Sequence, residues 1–183
     1  MRLRVLVLCA AAALAADTPR PAPKLELMTF GGETFSLAAN KGRVVLVKFF
    51  LTECNHCQRT ARAIMPIYNE WKSRGLEVIG VAINPDAAQQ VPDFRRRFGV
   101  TYPIARGDRS TLTTFGDISA VARFSVPYIF LVDRRGVIRY VHPGEDHAFY
   151  ANESQNLRAQ LDELLKEQAA ARAQKTARKT PGN

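Results

Sequence analysis

Nine residues, Arg43-Val44-Val45-Leu46-Val47-Lys48-Phe49-Phe50-Leu51, run almost without a polar break and stop just short of Cys54-Asn55-His56-Cys57. A run this short and this apolar reads as a strand covered on both faces. From Asn55 to about Ser73 the rhythm changes. Cys57, Ala61, Ile64, Met65 and Tyr68 recur at helical spacing, so the chain passes from a buried strand into a one-sided helix. That junction sets Cys54 at a helix N-terminus, where unpaired N–H groups and the helix dipole favour an anion. The anion is a thiolate, the form of cysteine that attacks disulfides. Cys57 follows one turn later, placed to resolve a mixed disulfide. The pair reads as a dithiol redox site.

Two plainer readings weigh less. A structural disulfide closing so short a loop removes little chain entropy. A zinc site needs about four ligands, and beyond the pair the expected mature chain offers only His56, His142 and His147, without finger-like spacing.

The third cysteine, Cys9, lies in a segment that reads as a signal peptide over residues 1–15. Arg2 and Arg4 make a basic start, Val5 to Leu14 is apolar, and Ala13-Leu14-Ala15 suits a cleavage site. The apolar run is short for a membrane span, so a retained anchor is the weaker reading. Acylation of Cys9 is weaker too, because the large Leu8 precedes it. Export to the periplasm, an oxidising compartment, is the expected location, with the signal peptide cleaved.

With 183 residues and 46% apolar content, the chain suffices for one domain of ordinary size. The expected organisation is a proline-rich lead-in without core pattern (16–24), one domain (25–165) and a basic tail (166–183). The formal charge is +9, but the tail concentrates it, with Lys166, Arg172, Lys175, Arg178 and Lys179 against Glu167 alone. That tail is expected to fray into solvent from the last helix rather than to touch membrane. No basic patch interleaved with aromatics points to nucleic acid.

Along the body, Leu25 to Leu37 reads as a hairpin around Gly31-Gly32, and residues 76–83 as a second buried strand. Asp86 to Phe98 reads as a helix with Val91, Phe94 and Phe98 on one face. A short extended piece at 100–104 and a polar stretch follow, then a helical turn at 120–124. Residues 128–132 and 137–141 flank the turn signal Asp133-Arg134-Arg135-Gly136. Glu153 to about Ala171 is expected to be a helix with Leu157, Leu161, Leu164 and Leu165 inward, and Pro66 a kink rather than an end to the first helix.

These marks resemble the thioredoxin-fold periplasmic thiol-disulfide oxidoreductases of the TlpA/ResA type over residues 25–165. The resemblance implies an α/β thioredoxin-like fold: a central mixed β-sheet flanked by helices, with an N-terminal β-hairpin and an inserted βα unit at 76–98. It also implies a cis Val126-Pro127 bond opposite the cysteines. There Val126 and Pro127 would bind substrate, the Val126 backbone groups pairing with an extended strand.

The departures from that family concern proton handling. Glu53 and Asn55 stand where many relatives have Trp and Pro. Lys48 replaces the buried acid of thioredoxins, and Thr60 stands where some ResA-type reductases carry Glu. Lys48 reads either as a buried cation favouring thiolate or as an amine snorkelling to an edge; Glu53 reads as an exposed loop acid before it reads as a base. His56 matches the histidine of oxidising DsbA-type CxHC sites, where it would lower the Cys54 pKa. His142 and His147 read as structural.

The combined expectation is an enzyme, a thiol-disulfide oxidoreductase acting on protein thiols and disulfides with an unidentified redox partner. Cys54 is the nucleophile, Cys57 the resolving thiol and His56 an aid, and no metal or organic cofactor is needed. The alternatives are a copper-binding or copper-delivery protein on the same fold, which would need His142 or His147 beside the cysteines, and a peroxiredoxin-like peroxide reductase. The latter lacks its Pro-x-x-x-Thr-x-x-Cys motif here.

Overall fold

The computed structural model describes residues 18–177, with side chains to residue 167. The apolar run forms the central strand of a mixed sheet. In chain order the strands are β1 (Arg20–Pro21), β2 (Glu26–Met28), β3 (Thr34–Ser36), β4 (Val44–Phe50), β5 (Leu76–Ala82), β6 (Ile104–Arg106), β7 (Tyr128–Val132) and β8 (Val137–His142). The helices are α1 (Asn55–Trp71), α2 (Ala87–Phe98), α3 (Arg109–Gly116), α4 (His147–Ala151) and α5 (Glu153–Ala177). Six strands lie in the order β1-β8-β7-β4-β5-β6, with β4 parallel to β5 and antiparallel to β7; β2 and β3 make the separate N-terminal hairpin.

Every residue of β4 is buried, and the period of two explains how. Val44, Leu46 and Phe50 face a core shared with α1, α2 and α5, while Val45, Val47 and Phe49 face Leu112 and Phe115 of α3. Each side chain so buried stabilises the fold by about 1.5–3 kcal/mol relative to exposure. The inward leucines of α5 are as expected, with Leu157, Leu161, Leu164 and Leu165 all buried. Helix α1 runs through Pro66. Gly75, at φ 98°, closes the short 3-10 turn that follows, a backbone state that disfavours a Cβ.

The structure differs from the sequence reading in six places. The lead-in is not outside the fold: Arg20 and Pro21 pair with Ile138 and Val137 at the sheet edge, where proline's missing N–H is tolerated. The strand expected at 100–104 begins only at Ile104, after Pro103, which has no N–H to give a ladder. The polar stretch contains α3, started by a capping box in which Asp108 accepts from the Thr111 amide at 2.8 Å. The helical turn at 120–124 does not form. Asp117 in the left-handed region ends α3, and Val121 is left 91% exposed with no core to order it. Helix α4, capped by Asp146, was absent from the sequence reading. The last helix also continues to Ala177, past the end expected near Ala171, consistent with the helix propensity of its Ala, Lys, Arg and Gln. The signal-peptide reading and Cys9 lie outside the described residues.

Candidate active site

Strand β4 delivers the chain to the site and α1 organises it. Cys54 is the N-cap of α1, in extended conformation, and its Sγ accepts the Cys57 amide at 3.2 Å. Both thiols are free; Cys57 is fully buried and Cys54 only partly. This geometry splits their acidities. The Cys54 thiol is brought down to about 6, chiefly by the hydrogen bond from the Cys57 side chain. Burial opposes the shift, and the backbone amides of Cys57 and His56 and the Lys48 charge add to it. Cys57 moves the other way, pushed far up by burial and then by its bond and proximity to Cys54.

Val126 and Pro127 stand beside Cys54. The Val126–Pro127 bond is cis, and Val126 O lies 3.7 Å from Cys54 Sγ, within reach of the thiol proton. Tyr150 Oη, 2.9 Å from Pro127 O and 3.2 Å from His142 O, shares its proton with both and ties this loop to α4. Cys54 also lines a cleft of about 310 Å³, together with Leu51, Thr52, Glu53 and Asn84. Its wall is fixed by Asn84, which accepts from the Thr52 amide at 3.2 Å and donates to the Thr52 hydroxyl at 2.9 Å.

The remaining candidates separate clearly. The His56 imidazole packs edge-on to Tyr150, centroids 4.3 Å apart; its pKa is lowered by burial and then by Arg59 and His147. What His56 gives Cys54 is its backbone amide. Glu53 is exposed and accepts from Gln90 at 3.0 Å. His142 is buried, bonded at 2.8 Å to Asp146 and to Gln160, and stacked on Phe149. His147 is exposed. Among the described residues no cluster of three or more His, Cys, Asp or Glu side chains is placed to hold a metal ion.

Of the two readings of Lys48, the structure shows the buried cation. Lys48 is wholly inaccessible, its Nζ 3.4 Å from Cys57 O, 3.3 Å from Tyr102 Oη and 4.5 Å from the Phe50 ring centre. Burial pushes its pKa down to about 8 against the pull of Cys57, Glu153 and Cys54. Tyr102, Tyr150 and Glu153 were missed by the sequence reading. Each comes from a distant segment, and no local pattern marks it as part of the site.

Comparison with known proteins agrees with this geometry. Protein DipZ of Mycobacterium tuberculosis (strain CDC 1551 / Oshkosh) is 32% identical over 124 residues, covering 65% of this chain but only 17% of DipZ. Thiol-disulfide oxidoreductase ResA of Bacillus subtilis (strain 168) is 27% identical over 124 residues, covering 67% of this chain and 65% of ResA. A solved thiol:disulfide interchange protein of the thioredoxin family from Chlorobium tepidum TLS superposes with a TM-score of 0.66 at 26% identity. The match covers 82% of this chain and 99% of that one. The fold is thioredoxin-like. The AhpC/TSA family model matches residues 19–141, from the first sheet residues to the end of the β7–β8 hairpin, and the chain belongs to that family.

Proposed function

We propose that the protein is a thiol-disulfide oxidoreductase that exchanges disulfides with protein substrates through Cys54 and Cys57. The observation that carries this is the split between the two thiols: one partly exposed and acidic at a helix N-terminus, the other buried one turn on. The Cys54 thiolate attacks a substrate disulfide, forming a Cys54–substrate bond and expelling one substrate thiolate. Cys57 then attacks Cys54 Sγ, closing the Cys54–Cys57 disulfide and releasing the second substrate thiol. Two electrons pass to the substrate, and the reverse sequence oxidises a substrate dithiol. The loop at Val126 and Pro127 holds the substrate backbone beside Cys54, and the names of the ResA and Chlorobium relatives support the same chemistry.

The periplasm is the proposed location, supported by the basic start and apolar run of residues 2–14. Among the described residues no helix is long and apolar enough to cross a membrane. His56 serves mainly through its amide.

The test is Cys57→Ser, which should accumulate a mixed disulfide between Cys54 and a disulfide peptide, visible by intact mass, while Cys54→Ser should not. Absence of that mixed disulfide, together with rapid peroxide turnover by the reduced wild type, would refute the assignment in favour of a peroxidase. The potential of the couple in glutathione buffer then sets the physiological direction.

A further inference from the structure

The exchange just proposed leaves one step without an actor. Cys57 must lose a proton to attack Cys54 Sγ, yet it is fully buried and its thiol is held strongly protonated. Resting on that reading, we propose that Glu153, reaching in from the start of α5, takes up the Cys57 proton through the Thr60 hydroxyl while Lys48 remains a cation between them.

Three observations carry this. First, Thr60 Oγ1 and Glu153 Oε1 are both buried atoms that complete no hydrogen bond, although the Thr60 hydroxyl is near enough to favour the Glu153 carboxylate. Buried polar atoms are normally satisfied, and a catalytic role is one of the explanations an exception calls for. Thr60 lies on α1 one turn beyond Cys57, and both are fully buried. Second, Lys48 interacts electrostatically with Cys57 and Glu153 alike. A neutral Cys57 beside Lys48 and a Glu153 carboxylate carries the same total charge as a Cys57 thiolate beside Lys48 and a neutral Glu153. Moving the proton therefore leaves the buried charge unchanged, which avoids the cost of creating a new uncompensated ion there.

The third observation is elimination. The titratable and charged groups around this cluster are Lys48 from β4, Cys54, His56 and Arg59 from α1, Tyr102 ahead of β6, Tyr150 from α4 and Glu153 from α5. Arg59 is always protonated. Burial pushes the Tyr102 and Tyr150 phenols up, so they stay protonated. Cys54 is tied up in the mixed disulfide at this moment. His56 stands partly exposed at the start of α1 with its ring against Tyr150, whereas Cys57 is fully buried. Lys48, near 8, already carries its proton at neutral pH. Glu153 is the vacant acceptor, and burial moves its carboxyl upward toward the range where a base works at neutral pH.

The step balances. The Cys57 S–H proton passes to Glu153 by way of Thr60, which gives one proton and receives one. The Cys57 thiolate attacks Cys54 Sγ, the Cys54–substrate S–S bond breaks, and the Cys54–Cys57 bond forms. The substrate leaves as a thiolate and takes its proton from solvent.

The test uses the reduced, full chain with 5,5′-dithiobis(2-nitrobenzoate) in a stopped-flow spectrometer. The first release of thionitrobenzoate reports Cys54 attack and the second reports Cys57 resolution. Glu153→Gln should slow the second phase about 10²-fold at pH 7 and raise its pH midpoint by about one unit, with the first phase unchanged and Glu153→Asp partly restoring the second. Thr60→Val, nearly isosteric, should slow the second phase alone, and it carries the test if Glu153→Gln does not fold. A second phase in Glu153→Gln or Thr60→Val with the wild-type rate and pH profile overturns the assignment. Equal slowing of both phases also overturns it, since that marks a displaced helix rather than a missing base. If the wild type itself shows no second release that depends on Cys57, the dithiol reading has failed instead.

Discussion

Replacing Cys57 with Ala removes the group that does most to acidify Cys54, and the consequence can be worked through. In the wild type, Cys54 titrates near 6, so about 90% is thiolate at pH 7 against about 3% for a free cysteine near 8.5. That thirtyfold gain is mostly cancelled, because nucleophilicity falls with basicity at a slope of about 0.4–0.5, roughly 15-fold over this range. Speed at pH 7 therefore discriminates poorly, at about twofold, whereas at pH 5 the advantage is about 20-fold. The midpoint of the pH profile is the quantity to measure. A hydrogen bond to a charged group contributes about 1.5–3 kcal/mol. Cys54 is partly exposed and its donor is a thiol, so the low end applies, equivalent to about one pH unit. The Cys57 amide, 3.2 Å from Sγ, remains in the variant. Alkylation of the reduced proteins with iodoacetamide from about pH 4 to 10 should place the wild type near 6, Cys57→Ser close to it and Cys57→Ala about one unit higher. A wild-type midpoint near the free-cysteine value, or an Ala variant indistinguishable from wild type, would refute the reasoning.

Two further predictions follow from the same contacts. His56→Pro deletes the amide that favours the Cys54 thiolate and should raise the alkylation midpoint and make the couple more reducing, whereas His56→Ala should change both little; a larger effect of Ala than of Pro in glutathione equilibration would return the role to the imidazole. Asp133, only 4% exposed, accepts from the Arg135 and Val137 amides at 2.9 and 3.0 Å, so Asp133→Ala should cost about 2–4 kcal/mol in urea unfolding, and a cost near zero would remove the β7–β8 turn from the account. Burial opposes ionisation of Asp133, but those amides and Arg135 outweigh it and its carboxyl is held below the usual range; its folded pKa is therefore the lower one, and its stabilisation, present above about pH 4, should be lost as pH falls through the folded value, an acid limb that Asp133→Asn should flatten.

What the sequence made legible was set by local pattern. The β4 run, the CxxC at its end and the 3.6-residue rhythm of α1 each lie within one short window, so strand, helix and thiol position follow from nearest-neighbour physics. The turn at Asp133–Gly136 was legible for the same reason. Helix α3 was not, because its start is polar and only Leu112 and Phe115 mark its buried side. The fate of Lys48 was undecidable locally, since a lysine in an apolar run can snorkel or stay inside. Its burial depends on Tyr102, more than fifty positions later, and on α5 beyond that.

That dependence explains why an acid absent from two familiar positions need not be absent from the site. Position 48 carries a cation and position 60 a hydroxyl, so a reading confined to β4 and α1 finds no carboxylate near the resolving thiol. The sheet, however, brings the N-terminus of α5 against α1, and a carboxylate in a first helical turn is favoured by the dipole there. Lys48 is held by Cys57 O and Tyr102 and feels the charge of Glu153 electrostatically. A buried cation favours a nearby anion, and a fully buried thiol needs a base within the protein to take its proton. One carboxylate answers both requirements only if it sits between Lys48 and Thr60. Because an acid on α5 lies outside the CxxC loop, substitutions at residues 53 and 56 should move the Cys54 midpoint in the alkylation profile while leaving the rate of the Cys57 step as in the wild type.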